Sequence, residues 1–548
     1  MTSTYTDTTI SERTARETFE QLAAATDDFE VYARPHATRL AKLADQLANL
    51  FSLGAYDRFS LRIAALAHDL GEAAMERDYI KRAGTLSAEE RQDLARHTVI
   101  GEQEAARAGA DRAAQLLVRW HHESWNGTGY PDALRRQQIP LMARILRVAD
   151  AYASLTEARP FRVARTIHEA RAHLAEEAGL EFDPRIVRAF LALNLNDEER
   201  AQASREEING TINSPAFIAA EDINYPPSAK LYSLANQDSL HDAPNNWLAF
   251  ELSVLRRLKF RSIAVPLAGE ADLCHALKGW GVRVAASDPS QSAAITAAAR
   301  IQHGEAPLPA MDVETLLEDA YVPGYKLRNE NLRQWFNETD AWWFDNIRIR
   351  ARQLSTESAQ AHALLLGMMV GDYARSFDEE TRVLRQPLSK VFRRLSDRHT
   401  APAASNNSQP CSSTQREARA FIAEQHNSDL LFLRLPRAQN LCVENSQAAS
   451  AWREDWIREA GELRDRADSQ NGAGHGARVE SKAQYLRRVE ELLQTALHIR
   501  TWAIAHTEDN FVSTAELVEI ITRLRKVETV YTKDFSELTG ARATIITA

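Results

Sequence analysis

The sequence predicts a multidomain protein, an all-α domain followed by an α/β domain with a parallel, doubly wound sheet. Two periodicities support this. From about residue 12 to 195 apolar residues recur at helical spacing with short interruptions, whereas beyond about residue 260 short apolar runs alternate with helical stretches. The length of 548 residues also exceeds one comfortable core.

In the first part, His36, Leu40, Leu43 and Leu47 fall on one helical face, and Pro35 suits a first turn. Residues 61–67 form an apolar helical stretch that runs into His68-Asp69 and is expected to stop near Gly71. Ile145, Leu146, Val148, Ala149 and Tyr152 mark another helix, with Asp150 one turn beyond Leu146 on the same face. Residues 196–223 are polar and lack periodicity, as a linker does. Residues 261–265 then read as a buried strand, Leu267-Ala268-Gly269 as a turn into a helix, and 282–286 as a second strand ending at Ser287-Asp288. A later strand is expected at 430–433. A closing strand–helix–strand is expected from 502–505, 513–526 and 528–531. Residues 401–415 and 469–477 are poor in apolar side chains and are expected to be mobile insertions. The expected boundaries are thus 12–195, a linker at 196–223, and 224–548.

Composition narrows the function classes. Apolar content of 44% and charged content of 26% are ordinary for a globular protein. A net charge of -10 argues against a generally basic surface for nucleic acid, while leaving room for a local cluster such as Arg256-Arg257-Leu258-Lys259-Phe260-Arg261. The cysteines (Cys274, Cys411, Cys442) lie far apart without a Cys-x-x-Cys, which argues against a disulfide framework or zinc ribbon. No apolar run is long enough to span a bilayer, and the Thr/Ser-rich amino terminus lacks a signal-peptide apolar region. A cytoplasmic address without membrane partners is therefore expected.

The chemistry is concentrated in His36, His68, Asp69, His97, His121, His122 and Asp150, strung through the helical part. One histidine on an apolar face is usually a satisfied core residue, and His241-Asp242, in a polar stretch, shows how little a His-Asp pair means alone. The set is different. Burying so many titratable groups unpaired would cost on the order of several kcal/mol apiece. Convergence on metal removes that cost, and mixed nitrogen and oxygen donors suit Fe, Mn, Zn or Ni rather than Mg alone.

Around these residues run His121-His122-Glu123-Ser124-Trp125-Asn126-Gly127-Thr128-Gly129-Tyr130-Pro131, Ile139-Pro140, Ala143-Arg144-Ile145, Val148-Ala149-Asp150, Arg159-Pro160-Phe161-Arg162 and Phe182-Asp183-Pro184. On these motifs the segment from about 30 to 195 resembles the HD-GYP metal phosphohydrolases, which cleave cyclic di-GMP. The resemblance implies that His36, His68, Asp69 and Asp150 hold one metal. Asp69 would bridge to a second, completed by His97, His121 and His122. Two divalent ions, Fe or Mn ahead of Zn or Ni, would generate a bridging hydroxide that attacks phosphorus. Arg159 and Arg162 would grip phosphate, and Gly129, Tyr130 and Pro131 would shape the substrate lip. The sequence departs from the family in three places. Glu72 stands where the family usually has lysine; ionised it would repel phosphate, and with a raised pKa it could act as a catalytic acid beside Asp69. Tyr32 stands where trinuclear members carry glutamate, which favours two metals over three. Ala153 replaces a common aspartate.

The second half resembles, more faintly, the S-adenosylmethionine-dependent DNA adenine methyltransferases, and so implies a Rossmann-like domain. The matching pieces occur in order: Tyr225-Pro226-Pro227-Ser228-Ala229-Lys230, Val265-Pro266-Leu267-Ala268-Gly269, Asp288, Asp345-Asn346-Ile347-Arg348 with the helix at 361–370, and His506-Thr507-Glu508-Asp509-Asn510-Phe511-Val512-Ser513. The catalytic motif is degenerate. Where those enzymes carry Asp-Pro-Pro-Tyr to accept hydrogen bonds from, and stack on, a flipped adenine, this chain has Arg434-Leu435-Pro436-Arg437. Arginine offers donors and no acceptor. Glu270 stands where a small residue would let backbone approach the cofactor, which counts against S-adenosylmethionine binding.

Together these readings lead to a dinuclear-metal phosphodiesterase acting on a cyclic dinucleotide, joined to an inactive methyltransferase-like regulatory or recognition domain. An alternative is a DNA-directed nuclease or nucleotide phosphohydrolase guided by the second half, with Arg434 and Arg437 on phosphate. A third is a sensor of cyclic dinucleotide or S-adenosylmethionine without catalysis. A homodimer is compatible with each.

Overall fold

A computed structural model of the chain describes residues 3–82, 84–159, 163–193, 244, 246–302, 308–321, 326–399, 410–436, 444–458, 481–508 and 511–548. The expected linker at 196–223, the 225–230 motif, the insertion at 469–477, Arg162 and Arg437 lie outside the described residues. The chain divides into two units. One comprises Met1–Asp242 with Arg375–Arg385 and Glu537–Thr539; the other comprises Ala243–Ala374, Gln386–Ser536 and Gly540–Ala548.

The first unit is built on helices α1 (Ser3–Phe29), α2 (His36–Leu50), α3 (Ala55–Ala67), α4 (Leu70–Met75), α5 (Ala88–Leu94), α6 (His97–Arg107), α7 (Arg112–Trp120), α8 (Leu141–Leu155), α9 (Ile167–Glu177) and α10 (Pro184–Ala192). Helix α2 packs against α3 and α8. It buries His36, Leu40, Leu43 and Leu47, the face expected from their spacing, together with four alanines that let its neighbours approach. Helix α8 likewise buries Ile145, Leu146, Val148, Ala149, Asp150 and Tyr152. Short polar caps set the helix starts: Asp111 accepts from the Ala114 amide, and Asp183, with Pro184 next, accepts from the Arg185 amide.

Gly71 is not a helix stop. The chain breaks one step earlier, at His68-Asp69, and resumes as α4 with Gly71 inside it. A Cβ at Gly71 would lie 1.9 Å from the His97 carbonyl oxygen, so glycine is needed for α4 to lie against α6.

The second unit holds a seven-stranded sheet. Its strands are β1 (Ser262–Val265), β2 (Arg283–Asp288), β3 (Ser412–Gln415), β4 (Leu430–Arg434), β5 (Thr501–Glu508), β6 (Thr529–Asp534) and β7 (Arg542–Thr547), in the order β3-β2-β1-β4-β5-β7-β6. Strands β1 to β5 are parallel, and β7 runs antiparallel to both β5 and β6. β1 is wholly buried and β4 nearly so, which explains their uninterrupted apolar sequence. On one face Leu431, Leu433, Trp502 and Ile504 pack with Val489, Leu493, Leu517 and Ile521. Among the described residues no helix is long and apolar enough to cross a membrane.

Two strands depart from the sequence reading. Ser412–Gln415 falls inside the stretch expected to be a mobile insertion, yet it pairs in parallel with β2. Its four polar residues are held at a sheet edge by main-chain bonds, so it has no apolar signature. β7 was not expected at all. It inserts between β5 and β6, so the predicted closing strand–helix–strand is completed by a final antiparallel strand.

Candidate metal centre

The helix arrangement brings the seven residues together. His36 opens α2, His68 and Asp69 occupy the break between α3 and α4, His97 opens α6, His121 and His122 follow α7, and Asp150 lies within α8. Their donor atoms form two groups, His36–His68–Asp150 and Asp69–His97–His121–His122, each with ligand atoms within 4.8 Å of one another. Asp69 faces both. Its Oδ2 lies 2.9 Å from His68 Nε2, and its Oδ1 lies 3.5 Å from His97 Nε2 and 3.6 Å from His121 Nε2. In the first group His36 Nε2 stands 3.6 Å from Asp150 Oδ1.

The outer ring nitrogens are tied down. Nδ1 of His68, His97 and His121 lies 3.0, 2.7 and 2.7 Å from the carbonyl oxygens of Ala65, Leu94 and Val118, and Nδ1 of His36 lies 2.9 Å from Glu157 Oε2. Such bonds put the proton on Nδ1 and aim the Nε2 lone pair inward, the usual outer arrangement of metal-bound histidine. His122 differs: its Nδ1 lies 3.2 Å from Arg147 Nη1 rather than against a main-chain carbonyl.

These residues fit a metal. Nε2 of His36, Nε2 of His68 and Oδ1 of Asp69 are buried without a hydrogen-bond partner among the described residues, the close approach of His68 to Asp69 being out of line for one. Buried donors left in that state are costly unless a cation takes them up. Electrostatics agree. Burial holds His97 down to about 4 and His122 well below an ordinary histidine, so both rings are neutral and able to offer a lone pair. Burial acts the same way on His36, but the nearby Asp150 and Glu157 carboxylates outweigh it and push it up to about 10. The charge of Asp69 similarly lifts His68 to about 9 against burial. A proton sits there where a cation would.

Behind the ligands a buried network shapes the following loop. Arg119 spans Asp132, at 2.6 and 2.9 Å, and Glu102, at 2.8 Å, while Glu123 accepts the amides of Asp132 and Leu134. A Cβ at Gly129 would come 2.2 Å from the Ser124 nitrogen and 2.5 Å from the His122 carbonyl, so only glycine fits this turn. The turn sets the Tyr130 ring against His122, centroids 5.0 Å apart, with His97 at 6.1 Å; Pro131 follows it.

Some predicted contacts differ. Arg159, expected to grip phosphate, donates to Glu30 Oε2 at 2.9 Å, bonds the Tyr32 hydroxyl, and lies 3.9 Å over the Tyr32 ring. Tyr32 in turn stacks on His36, centroids 4.2 Å apart. Glu72 is buried, and its pKa is pushed well above the ordinary glutamate value by that burial and by Asp69 and Glu30. Glu30 itself is raised to about 8 by burial and by Asp69. The sequence reading missed Glu30 and Glu157. Glu157 carried a signal, standing seven residues, two helical turns, beyond Asp150. Glu30 carried none, because it follows the end of α1, six residues before His36, and reaches the centre only by tertiary packing.

In the second unit the strand order reverses at β1 and β4, so Gly269 and Arg434 lie at the carboxyl-terminal ends where open α/β sheets bind ligands. The chain's own groups are engaged there. Asp288 Oδ2 accepts the Gly269 amide at 3.0 Å and its Oδ1 accepts the Ser290 amide at 3.0 Å. Arg453 bonds Glu270 and Asp372. Pro436 O accepts from the Tyr485 hydroxyl at 2.9 Å. Arg434, expected on phosphate, is instead a two-pronged partner of the buried Glu251, at 3.0 and 2.7 Å.

Residues 17–186, within the helical unit, match the family model described as HD domain. Its relatives bear out the HD-GYP resemblance. The chain is 34% identical over 202 residues to "Cyclic di-GMP phosphodiesterase response regulator RpfG" of Xanthomonas campestris pv. campestris (strain 8004), covering 36% of this chain and 51% of that protein. It is 32% identical over 172 residues to "3'3'-cGAMP-specific phosphodiesterase 3" of Vibrio cholerae, covering 31% and 37% respectively. It is 28% identical over 160 residues to "Cyclic di-GMP phosphodiesterase" of Thermotoga maritima, covering 29% and 44%. The matches thus span between about a third and a half of these relatives' lengths.

Proposed function

We propose that the helical unit is a metal-dependent phosphodiesterase that hydrolyses a cyclic dinucleotide, with cyclic di-GMP the first candidate. The observation that carries this is Asp69, whose two oxygens face the two separate histidine groups. Divalent ions held by those groups, iron or manganese for this mix of imidazole and carboxylate, would supply Lewis acidity that lowers the pKa of water and polarises a phosphoryl oxygen. The chain's own part is positioning. The Nδ1 bonds of His36, His68, His97 and His121 fix their rings, Asp69 spans the two groups, and the Gly129-Tyr130-Pro131 turn forms one wall beside His122. Hydrolysis adds hydroxide to phosphorus and breaks one bridging P–O bond. The departing ribose oxygen takes a proton, and a linear dinucleotide results. Relatives named for cyclic di-GMP and for 3'3'-cGAMP support this substrate class.

The second unit is read as a methyltransferase-type α/β domain without methyl transfer. The basis is the reversal of strand order at β1 and β4 together with Arg434, which has no acceptor for an adenine amine and is already paired with Glu251. That pairing also weighs against the DNA-guided alternative.

The test is product analysis. Full-length protein loaded with manganese or iron is incubated with cyclic di-GMP and 3'3'-cGAMP, and linear products are resolved chromatographically. Turnover is expected, and it should vanish in His68→Ala and Asp69→Ala. Full metal occupancy without a linear product from either compound would reject the reading.

A further inference from the structure

Helix α8 reaches both candidate metal groups. Its Asp150 stands 3.6 Å from His36 in one, and one turn earlier its Arg147 reaches the other, with Nη1 3.2 Å from His122 Nδ1. The Arg147 guanidinium lies 5.6 Å from the centroid of the buried Phe182 ring. Burial raises the Tyr130 phenol, and Arg147 is close enough to oppose that rise. The guanidinium therefore sits beside the turn that walls the centre. It is also poorly satisfied. Arg119 and Arg144 each hold a buried carboxylate, Asp132 and Asp183, at 2.6 Å. Arg147 has only Glu181 at 3.3 Å and the uncharged His122 ring, and its Nε is buried with no hydrogen-bond partner among the described residues. A guanidinium has five donors and no acceptor, so this seat leaves much of its capacity open. Arg159, the arginine expected on phosphate, is committed to Glu30 and Tyr32, and Glu72 brings no positive charge.

We propose that Arg147 binds a phosphate of the substrate on the His122 side of the centre. The assignment rests on the phosphodiesterase reading and adds a residue to it. Position 147 falls between Ala143-Arg144-Ile145 and Val148-Ala149-Asp150 and belongs to neither, so the HD-GYP resemblance does not assign it. A phosphodiester spreads one full negative charge over two non-bridging oxygens, and the fork of a guanidinium can donate to both. Such an anion is a stronger partner than a neutral ring nitrogen or a single carboxylate oxygen at 3.3 Å. With its face over Phe182, the guanidinium keeps its donor edge for the phosphate. The positive charge that position 72 does not supply then comes from α8.

The experiment is calorimetric titration of the manganese-loaded full chain with the linear dinucleotide formed from cyclic di-GMP, with manganese content measured on the same samples. Arg147→Met, which keeps an apolar stem over Phe182, is expected to weaken binding by about ten- to hundredfold while holding as much manganese as the native chain. Arg147→Lys keeps the charge without the fork and should fall between the two. Glu181→Gln removes the competing carboxylate and should bind the dinucleotide at least as tightly as the native chain. Native affinity in Arg147→Met overturns the assignment. Loss of manganese together with affinity also overturns it, because Arg147 would then only support His122. A lysine variant no better than methionine, or weaker binding in Glu181→Gln, counts against it in the same way. If the native chain hydrolyses cyclic di-GMP and Arg147→Met binds its product equally well, only this inference fails. If the native chain neither hydrolyses cyclic di-GMP nor binds the linear dinucleotide, the phosphodiesterase reading fails and takes the inference with it.

Discussion

Glu157 Oε2 lies 2.9 Å from Nδ1 of His36, and its other oxygen takes Arg39 at 3.1 Å. The carboxylate therefore holds the ring of a candidate ligand from behind and is itself held in place. Outer partners of this kind fix tautomer and orientation, and their loss typically weakens metal binding by about 10–100-fold. Glu157→Gln keeps the shape but can present its amide to Nδ1 in the wrong sense. The expected outcome is a drop of that order in manganese affinity, measured by calorimetric titration, with the circular dichroism spectrum unchanged. Native affinity in this variant would show that the contact is passive.

The protons on His36 and His68 give the metal-free protein a defined pH response. Both groups are held above the ordinary value of 6.5, at about 10 and about 9. The stability they contribute is therefore complete below about pH 6.5 and is lost as pH rises through 9 to 10. A cation must displace these protons. Its affinity should rise with pH across the same window, by up to roughly a hundredfold per unit if both leave together. Metal titrations in a pH series, with proton release followed in weak buffer, test this. Affinity that is flat between neutral pH and pH 9 would contradict it.

The convergence of the candidate ligands was legible because each carries its chemistry in its residue type and sits in an apolar helical pattern. His36 with Leu40, Leu43 and Leu47 could be read as one inward face without knowing what it met. Glu30 and the Arg159–Glu30 pair could not, because nothing local distinguishes a glutamate that ends up beside Asp69 from one in solvent. The sheet divides in the same way. The buried β1 and β4 announce themselves through apolar runs, whereas β3 is polar throughout and is defined by its pairing with β2.

Gly71 links the fold to the centre. An alanine there would press its Cβ against the His97 carbonyl and must push α4 and α6 apart. Overpacking of this kind costs about 3 kcal/mol at its upper range. The displacement falls on His97, whose carbonyl the Cβ meets, and Asp69 lies only two residues before Gly71. Gly71→Ala should lower the melting temperature of the metal-free protein and weaken metal binding at His97 together. An unchanged melting temperature would mean that the helices yield freely at this contact.

The Arg434–Glu251 pair makes the proposed loss of transferase chemistry in the second unit testable as stability. Both groups lie at the carboxyl-terminal end of the sheet, with Glu251 2% exposed and both its oxygens on the guanidinium. Arg434→Met strands that buried carboxylate, and breaking such a pair on one side costs about 3–5 kcal/mol. Removing the acid as well takes away the stranded charge, so Arg434→Met combined with Glu251→Met should recover most of the loss. Urea denaturation followed by tryptophan fluorescence measures both variants. If the single substitution were as stable as the native chain, Arg434 would not be committed to Glu251, and a contact between this arginine and an outside phosphate would again be open to it.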